Sequence, residues 1–318
     1  MQSFKLKSFK PTKEGFGEGV LTAGQENPNV FCLGADITAS VGLDLFKKAF
    51  PDRFYSLGIA EQNCVGVASG MALKGKIPVF ASYAVFSALR TTDQIRVSVC
   101  YNNLHVIIGG AHAGISVGPD GATHQALEDI AVMRVLPNMT VLSPCDATQT
   151  KIAVLHAVKN LKSPVYIRFG RAPVADFTNE NQNFEIGKGQ LFKMGNDVSL
   201  IATGHMLWDA LQAADMLAEK GISARVINIH TIKPIDTAII IKAAKETRAI
   251  VTAEEHQING GFGSAICEVL AKNYPVPVEF IGMNDSFGES GKPNELLKKF
   301  KMTAEDIAKA ALIVMKRK

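Results

Sequence analysis

Two histidines and an aspartate stand in one glycine-rich segment, residues 112–125, which reads HAGISVGPDGATHQ. Histidine exchanges protons near neutral pH and a carboxylate accepts hydrogen bonds, so His112, Asp120 and His124 could bind a polyhydroxylated substrate and move its protons. The glycines allow a ligand to approach the backbone closely. The spacings of the three side chains match no common zinc motif, and we predict no metal site in this chain.

A carboxylate also stands at the predicted start of an apolar helix. Glu61 belongs to the segment GIAEQN, and residues 64–73 after it are apolar and rich in small side chains. The free amide groups and the dipole of a helix N-terminus favour an ionised carboxylate, which is one interpretation of Glu61. The other is that the carboxylate acts on a ligand. The residues alone leave both open.

Polar and aromatic side chains follow two apolar runs, at the positions where ligands of parallel sheets collect. Asp36 and Ser40 lie in the segment GADITAS. Such a loop is also a common helix cap, so a ligand site and a cap are both possible interpretations. Tyr83 and Phe86 are typical either of an apolar core or of a platform for a flat heterocycle.

Apolar, β-branched runs alternate with helical patterns along the chain. This alternation predicts an α/β fold whose sheets are mainly parallel and flanked by helices. A polar segment without periodicity follows Arg171, so we predict two domains, residues 1–178 and 188–318, joined by a linker over residues 179–187. The predicted strands span residues 30–33, 77–82, 105–109, 140–142, 165–169, 198–202, 224–229, 249–253 and 278–281.

The composition argues against several classes of protein. The chain has 34 basic and 30 acidic residues and no long basic run, and we predict no nucleic-acid partner. It has no apolar stretch of about 18 residues, and we predict no membrane span. Five cysteines without a C-x-x-C pair indicate a cytoplasmic protein. The motifs of serine hydrolases and of dinucleotide-binding proteins are missing.

Several linked segments, in this order and spacing, resemble the transketolase family. They are GIAEQN around Glu61, SYAVF at residues 82–86, DQIR at 93–96, VGPDGATHQ at 117–125 and LPNM at 136–139. The resemblance covers nearly the whole chain and implies the family's pyrimidine-binding domain followed by its C-terminal domain. It also implies the cofactor thiamine diphosphate and the transfer of a two-carbon ketol unit between sugar phosphates in carbohydrate metabolism, by default in the pentose phosphate pathway.

The resemblance also assigns roles to the candidate residues. Glu61 would hydrogen-bond N1′ of the cofactor's aminopyrimidine and activate it. Tyr83, where the family commonly has Phe, would stack on this ring, with Phe86 nearby and Asp36 beside the thiamine. The expected substrate ligands are Lys13, Ser40, His112, Asp120, His124 and Arg171, of which His112 and His124 are also counted as catalytic. Lys13 stands where many transketolases have a phosphate-binding Arg, so a bidentate contact is lost.

The family's diphosphate-binding domain, with its Gly-Asp-Gly motif and metal-binding Asn, has no counterpart in this sequence. We therefore expect an N-terminal partner subunit that holds the diphosphate and Mg²⁺ or Ca²⁺, in an α2β2 heterotetramer. In such an assembly the cofactor is shared between the two kinds of subunit.

Three alternatives stay open. 1-Deoxy-D-xylulose-5-phosphate synthase shares the motifs but normally lacks a histidine matching His112. The beta subunit of a 2-oxoacid dehydrogenase is similarly split but does not usually carry the DGATHQ loop. A non-catalytic interaction protein with this fold is the third, since a fold does not fix a function.

The segment 254–263 follows a strand, and we interpret it as a tight structural loop.

Overall fold

The computed structural model describes residues 5–318, in which strands and helices alternate. The elements of the first half are β1 (Ser8–Pro11), α1 (Thr12–Glu26), β2 (Val30–Gly34), α2 (Asp44–Ala49), β3 (Phe54–Ser56), α3 (Glu61–Leu73), β4 (Ile77–Tyr83), α4 (Thr92–Gln94), β5 (Ile107–Ala111), α5 (Asp129–Val135), β6 (Thr140–Leu142), α6 (Ala147–Asn160), β7 (Val165–Arg168) and β8 (Pro173–Asp176). Two π-helical segments, Val85–Arg90 and Ile95–Cys100, flank α4, and 3₁₀ turns span Pro51–Arg53 and Ile115–Asp120.

The second half repeats the alternation after a stretch, residues 177–189, that contains neither helix nor strand. Its elements are β9 (Gln190–Lys193), β10 (Val198–Ala202), α7 (Met206–Ala218), β11 (Ala224–Asn228), β12 (Thr231–Lys233), α8 (Thr237–Thr247), β13 (Ile250–Gln257), α9 (Phe262–Asn273), β14 (Val278–Met283), α10 (Pro293–Lys299) and α11 (Ala304–Met315).

The first sheet has seven strands in the order β12-β6-β7-β5-β4-β2-β3. All neighbours pair in parallel except β12 and β6. Apolar side chains of α1 and α6 cover one face of this sheet, and those of α3 and the π-helical region cover the other. Burial on both faces explains why its central strands read as continuous apolar runs.

The second sheet has five strands in the order β14-β13-β10-β11-β9, and only β9 runs antiparallel. Helices α7 and α11 pack on one face and α8 and α9 on the other. The mainly parallel α/β architecture with flanking helices is as predicted. Among residues 5–318 no helix has the length and apolarity needed to cross a membrane.

Two features depart from the sequence prediction. Residues 173–176, which the sequence presents as part of an irregular polar segment, form β8 and pair antiparallel with β1. Strand β12, which comes from the second half of the chain, joins the edge of the first sheet by pairing with β6. The first sheet therefore contains one strand from the second half of the chain, while the other strands of that half form the second sheet.

One strand boundary also shifts for a clear reason. The predicted strand over residues 105–109 is observed as β5, which continues through Gly109 and Gly110 to Ala111. A side chain at Gly110 would collide with the Tyr166 ring, and one at Gly109 with Phe16. The two glycines therefore make room for neighbouring aromatic rings within the sheet and do not end the strand.

Candidate active site

Neighbouring strands of the first sheet bring Tyr83 and His112 side by side. Tyr83 is the last residue of β4 and pairs in register with Ala111, the last residue of β5. His112 comes next, and its ring centroid lies 4.2 Å from that of Tyr83, with an angle of 35° between the ring planes. The carboxyl ends of parallel strands meet at one edge of a sheet, so the two candidates converge there.

Phe86 and His124 complete a group of four rings. The centroid of Phe86 lies 6.0 Å from that of Tyr83. His124, near the end of the glycine-rich loop, stands edge-on to both rings, with centroid distances of 5.8 Å to Tyr83 and 5.5 Å to Phe86. We call Tyr83, Phe86, His112 and His124 the ring cluster. Its partly exposed members offer an aromatic wall to a flat heterocycle.

Glu61 is the first residue of α3 and is 3% exposed. Its Oε2 atom accepts a hydrogen bond of 2.8 Å from Nη1 of Arg90, whose side chain is 45% exposed. The Arg90 guanidinium also lies 4.3 Å from the centroid of the Phe86 ring. Arg90 therefore connects Glu61 to the ring cluster and offsets the charge of a buried carboxylate.

His112 is buried, has a left-handed backbone conformation and, within the described part of the chain, has an unpaired ring nitrogen. It is 2% exposed and has a left-handed φ of 54°. Within residues 5–318 its buried Nδ1 atom has no hydrogen-bond partner. Burial, and after it the positive charges of Lys13 and Arg171, lowers the pKa of His112 to about 4. The imidazole is therefore neutral at pH 7, and a ligand could satisfy its unpaired nitrogen.

Asp120, Arg171 and Lys13 form a charged rim near the ring cluster. Asp120 Oδ1 accepts a hydrogen bond of 2.8 Å from Arg171 Nη1, and both side chains are partly exposed. The Gly170 amide donates to Thr12 Oγ1 at 2.7 Å, and the Lys13 amide donates to the Gly170 carbonyl, which places the start of α1 next to Arg171. Two cations and one carboxylate leave a net positive rim, which suits a phosphate group.

Asp36 and Ser40 are less closely tied to this group. Both follow β2, whose carboxyl end lies beside that of β4. Asp36 is exposed, with a left-handed φ of 63°, and Ser40 is partly exposed. Among the described residues neither side chain hydrogen-bonds to the ring cluster or the charged rim. The structure therefore brings together eight of the ten candidates and leaves these two on the flanking loop.

Sequence reasoning missed two residues that contact the site. The only local sign of Arg90 is its position four residues after Phe86. Glu255, on β13, accepts a hydrogen bond of 2.5 Å from the Ser116 amide in the glycine-rich loop. Its neighbour Glu254 fits the structural interpretation of residues 254–263, because it accepts hydrogen bonds from the first amides of α9. No local pattern distinguishes Glu255 from Glu254.

The described part of the chain, residues 5–318, contains no group of three or more histidine, cysteine, aspartate or glutamate side chains that could hold a metal ion. The five cysteines are free thiols, and four of them are buried. The chemistry available at this edge of the sheet is therefore a buried carboxylate, aromatic rings, neutral imidazole and a positive rim.

Comparison with known proteins identifies the family of the chain. Residues 10–175 match the family model of the transketolase pyrimidine-binding domain, and residues 187–307 match that of the transketolase C-terminal domain. The chain belongs to the transketolase family. This confirms the resemblance seen in the motifs around Glu61 and His124.

Transketolases of known sequence and structure resemble the chain over its length. It is 43% identical to a putative transketolase C-terminal section of Methanocaldococcus jannaschii, over 97% of this chain and 98% of that protein. It is 40% identical to a 6-deoxy-6-sulfo-D-fructose transketolase subunit of a Clostridium strain, over 94% of this chain and 92% of that one. A solved structure described as a split gene transketolase, inactive beta4 tetramer, superposes with a TM-score of 0.91 at 46% identity, covering 97% of this chain and 99% of that one.

Membership of the family implies dependence on thiamine diphosphate. The residues present fit the aminopyrimidine end of this cofactor. A carboxylate that is 3% exposed, Glu61, lies on the same sheet edge as the aromatic side chains Tyr83 and Phe86, and Arg90 links the two. A flat, nitrogen-containing ring requires an aromatic surface and one polar partner, and this edge supplies both.

Proposed function

We propose that this chain is the subunit of a split transketolase that activates thiamine diphosphate and binds the sugar. The reaction is the transfer of a two-carbon ketol unit from a ketose phosphate to an aldose phosphate. The observation that carries the proposal is the placement of the buried Glu61 carboxylate at the start of α3, on the sheet edge that also holds the ring cluster.

Bound thiamine diphosphate supplies the electron sink for the transferred carbon unit. The part of this chain is to hold and orient the aminopyrimidine. Glu61 holds a proton at N1′, and its burial shields that hydrogen bond from water. Tyr83 and Phe86 would hold the flat face of the ring, and Asp36 on the flanking loop would contribute beside the thiamine. Arg90 balances the carboxylate charge when the site has no ligand.

The glycine-rich loop and the charged rim bind the sugar phosphate. His112 stays neutral because its pKa is about 4, so it exchanges hydrogen bonds with a hydroxyl or carbonyl group without adding charge. His124 is partly exposed and is free to move protons at the sugar. Arg171 and Lys13 would bind the phosphate, with Ser40 contributing from the flanking loop, and Asp120 orients Arg171 through their 2.8 Å hydrogen bond.

An N-terminal subunit supplies the diphosphate-binding domain and Mg²⁺ or Ca²⁺, in an α2β2 assembly located in the cytoplasm. Two relatives support a split enzyme, since one is described as a C-terminal section and the other as a split gene transketolase. One face of α3 is also open for a partner. Ile59 just before the helix is 74% exposed and Leu73 at its end is 69% exposed, while Gly66 and Gly70 between them leave open space.

Relatives of this chain are described with different sugars. One relative is described as acting on a sulfonated fructose and so does not point to an ordinary pentose phosphate. Lys13 carries a single point charge in place of the planar fork of an arginine, which relaxes the geometric demand on the anionic group. We take xylulose 5-phosphate as the first donor to test and a 6-sulfonated ketose as the second.

The decisive experiment reconstitutes the complex from this chain and an N-terminal transketolase subunit. Ketol transfer to ribose 5-phosphate is measured with thiamine diphosphate and Mg²⁺ for both donors. Turnover that requires both chains and is lost in Glu61→Gln is the expected result. A complex that binds the cofactor and assembles but transfers no ketol unit from either donor would exclude the proposal.

A further inference from the structure

Residues of the C-terminal domain hydrogen-bond to the glycine-rich loop. Glu255 Oε1 accepts a hydrogen bond of 2.5 Å from the Ser116 amide, and the Gln125 side chain donates to the Glu289 carbonyl at 2.9 Å. A side chain at Gly114 would collide with the Glu255 carboxylate, so the two segments are in close contact. The loop that carries His112, Asp120 and His124 is therefore held partly by residues far away in sequence.

This loop has little regular structure to hold itself. Gly114, Gly118 and Gly121 have φ values of 86°, 80° and 77°, which only glycine adopts readily. The 3₁₀ turn over Ile115–Asp120 is interrupted at Gly118. A glycine-rich segment is flexible on its own, so its conformation depends on contacts from outside.

The Glu255 carboxylate is itself fixed by a second buried group. Its Oε2 atom accepts a hydrogen bond of 2.6 Å from Nε2 of His205, the residue before α7. The side chains of Glu255 and His205 are 3% and 14% exposed. Arg168 of β7 donates to the Glu255 carbonyl at 2.7 Å and so anchors its backbone as well. His205, Glu255 and the Ser116 amide thus form a continuous chain from α7 to the loop.

We propose that Glu255 and His205 are positioning residues for the sugar-phosphate site, which fix the backbone of loop 112–125 and through it the side chains that meet the substrate. The inference rests on the proposed function only for the identity of the substrate. It gives the C-terminal domain an indirect part in substrate binding, because none of its residues belongs to the ring cluster or the charged rim.

The charges around the pair give it a pH dependence. Burial lowers the pKa of His205, but the carboxylates of Glu255 and then Asp209 outweigh burial and the opposing charge of Arg168, so the pKa lies above its ordinary value. Burial raises the pKa of Glu255, but His205 and Arg168 outweigh it, and this pKa is lowered. Both groups are therefore charged between the lowered pKa of Glu255 and the raised pKa of His205, and the bond weakens as the pH rises through the pKa of His205.

The test uses the reconstituted complex with three variants: Glu255→Gln, His205→Asn and, as a matched control, Glu254→Gln. Glu254 is the adjacent buried glutamate, but it binds the amides of α9. We expect the first two variants to raise KM for xylulose 5-phosphate about tenfold with little change in kcat, the effect of losing one charge-assisted contact. The control should lower the melting temperature and leave KM unchanged.

Two further readouts separate positioning from general damage. In the wild type KM should rise as the pH increases above 6.5, and this step should vanish in Glu255→Gln and His205→Asn. Hydrogen–deuterium exchange of residues 114–121, measured without substrate, should be about tenfold faster in both variants and unchanged in the control. Because this readout needs no turnover, it stays decisive if the reaction proves to be another one. Wild-type exchange of this loop in Glu255→Gln overturns the inference.

Discussion

Arg90 holds the Glu61 carboxylate with a hydrogen bond of 2.8 Å, although Glu61 is almost completely buried and Arg90 is nearly half exposed. The two residues come from different elements, the start of α3 and the end of the first π-helical segment. A buried carboxylate without a partner is costly, so the pair accounts for how the free chain tolerates this group. The pair also leads to a separate prediction for the replacement of each residue.

Replacing Arg90 should therefore destabilise the free chain. In Arg90→Leu the Glu61 carboxylate loses its only ion-pair partner in the described structure, and we expect a loss of about 1–2 kcal/mol in the free energy of unfolding, since Arg90 is partly exposed. Urea unfolding at pH 7 measures it. Arg96→Leu is the control, since Arg96 is exposed, and it should change stability by no more than about 0.5 kcal/mol. Equal effects of the two changes would contradict the role of the pair.

Replacing Glu61 should separate proton transfer from assembly. In the reconstituted complex, Glu61→Gln should slow exchange of the cofactor C2 proton by at least about 100-fold, because the amide cannot hold the proton at N1′. NMR of quenched samples follows the exchange, and size-exclusion chromatography should show an unchanged complex. An exchange rate equal to that of the wild type would remove Glu61 from the mechanism.

The pKa of His112 gives a prediction that needs no partner subunit. Because burial and neighbouring cations hold the pKa at about 4, the imidazole should show no titration between pH 5 and 8 in a histidine NMR experiment. The unfolded chain binds a proton here below about pH 6.5 and the folded chain does not, so this residue costs stability as the pH falls from 6.5 toward 4.

Removing one cation near His112 should then shift its titration upward. Lys13→Gln should raise the pKa of His112, since the charge of Lys13 lowers it in the wild type. Lys10→Gln is the control, because Lys10 is paired with Glu18 at 2.5 Å. A larger upward shift in the control than in Lys13→Gln would show that the rim charges are assigned wrongly.

Tyr83 should act through its ring and not through its hydroxyl group. Tyr83→Ala removes the stacking surface and should weaken thiamine diphosphate binding to the complex about tenfold, whereas Tyr83→Phe should stay within about threefold of the wild type. Isothermal titration calorimetry measures both affinities. A large loss in Tyr83→Phe would instead assign the binding energy to the hydroxyl.

The sequence predicted the parts of this molecule that depend on local pattern. Strands β6 and β10 occupy the predicted residues, since their buried runs have clear ends. Glu61, Tyr83 and His112 were found because each follows a strand or begins a helix at the edge where ligands collect. That rule needs only the order of the elements.

The remaining parts depend on contacts between distant segments. Strand β12 has three residues, and nothing in Thr231–Lys233 indicates that it pairs with β6 rather than with its own domain. Glu254 and Glu255 are adjacent residues of the same type. Because successive side chains of a strand point to opposite faces, Glu254 contacts α9 and Glu255 contacts the glycine-rich loop. Register and long-range pairing of this kind cannot be derived from a local pattern.

The shared sheet has a consequence for any attempt to divide the protein. A fragment that ends in the polar stretch before β9 would lack β12, and the backbone of β6 would become an open edge beside the apolar residues Val141 and Leu142. Such edges act as templates for strands of other chains, so the fragment should aggregate. The pyrimidine-binding half should therefore not be stable when it is cut out alone. Fusion proteins or domain exchanges that use it need to include residues 231–233.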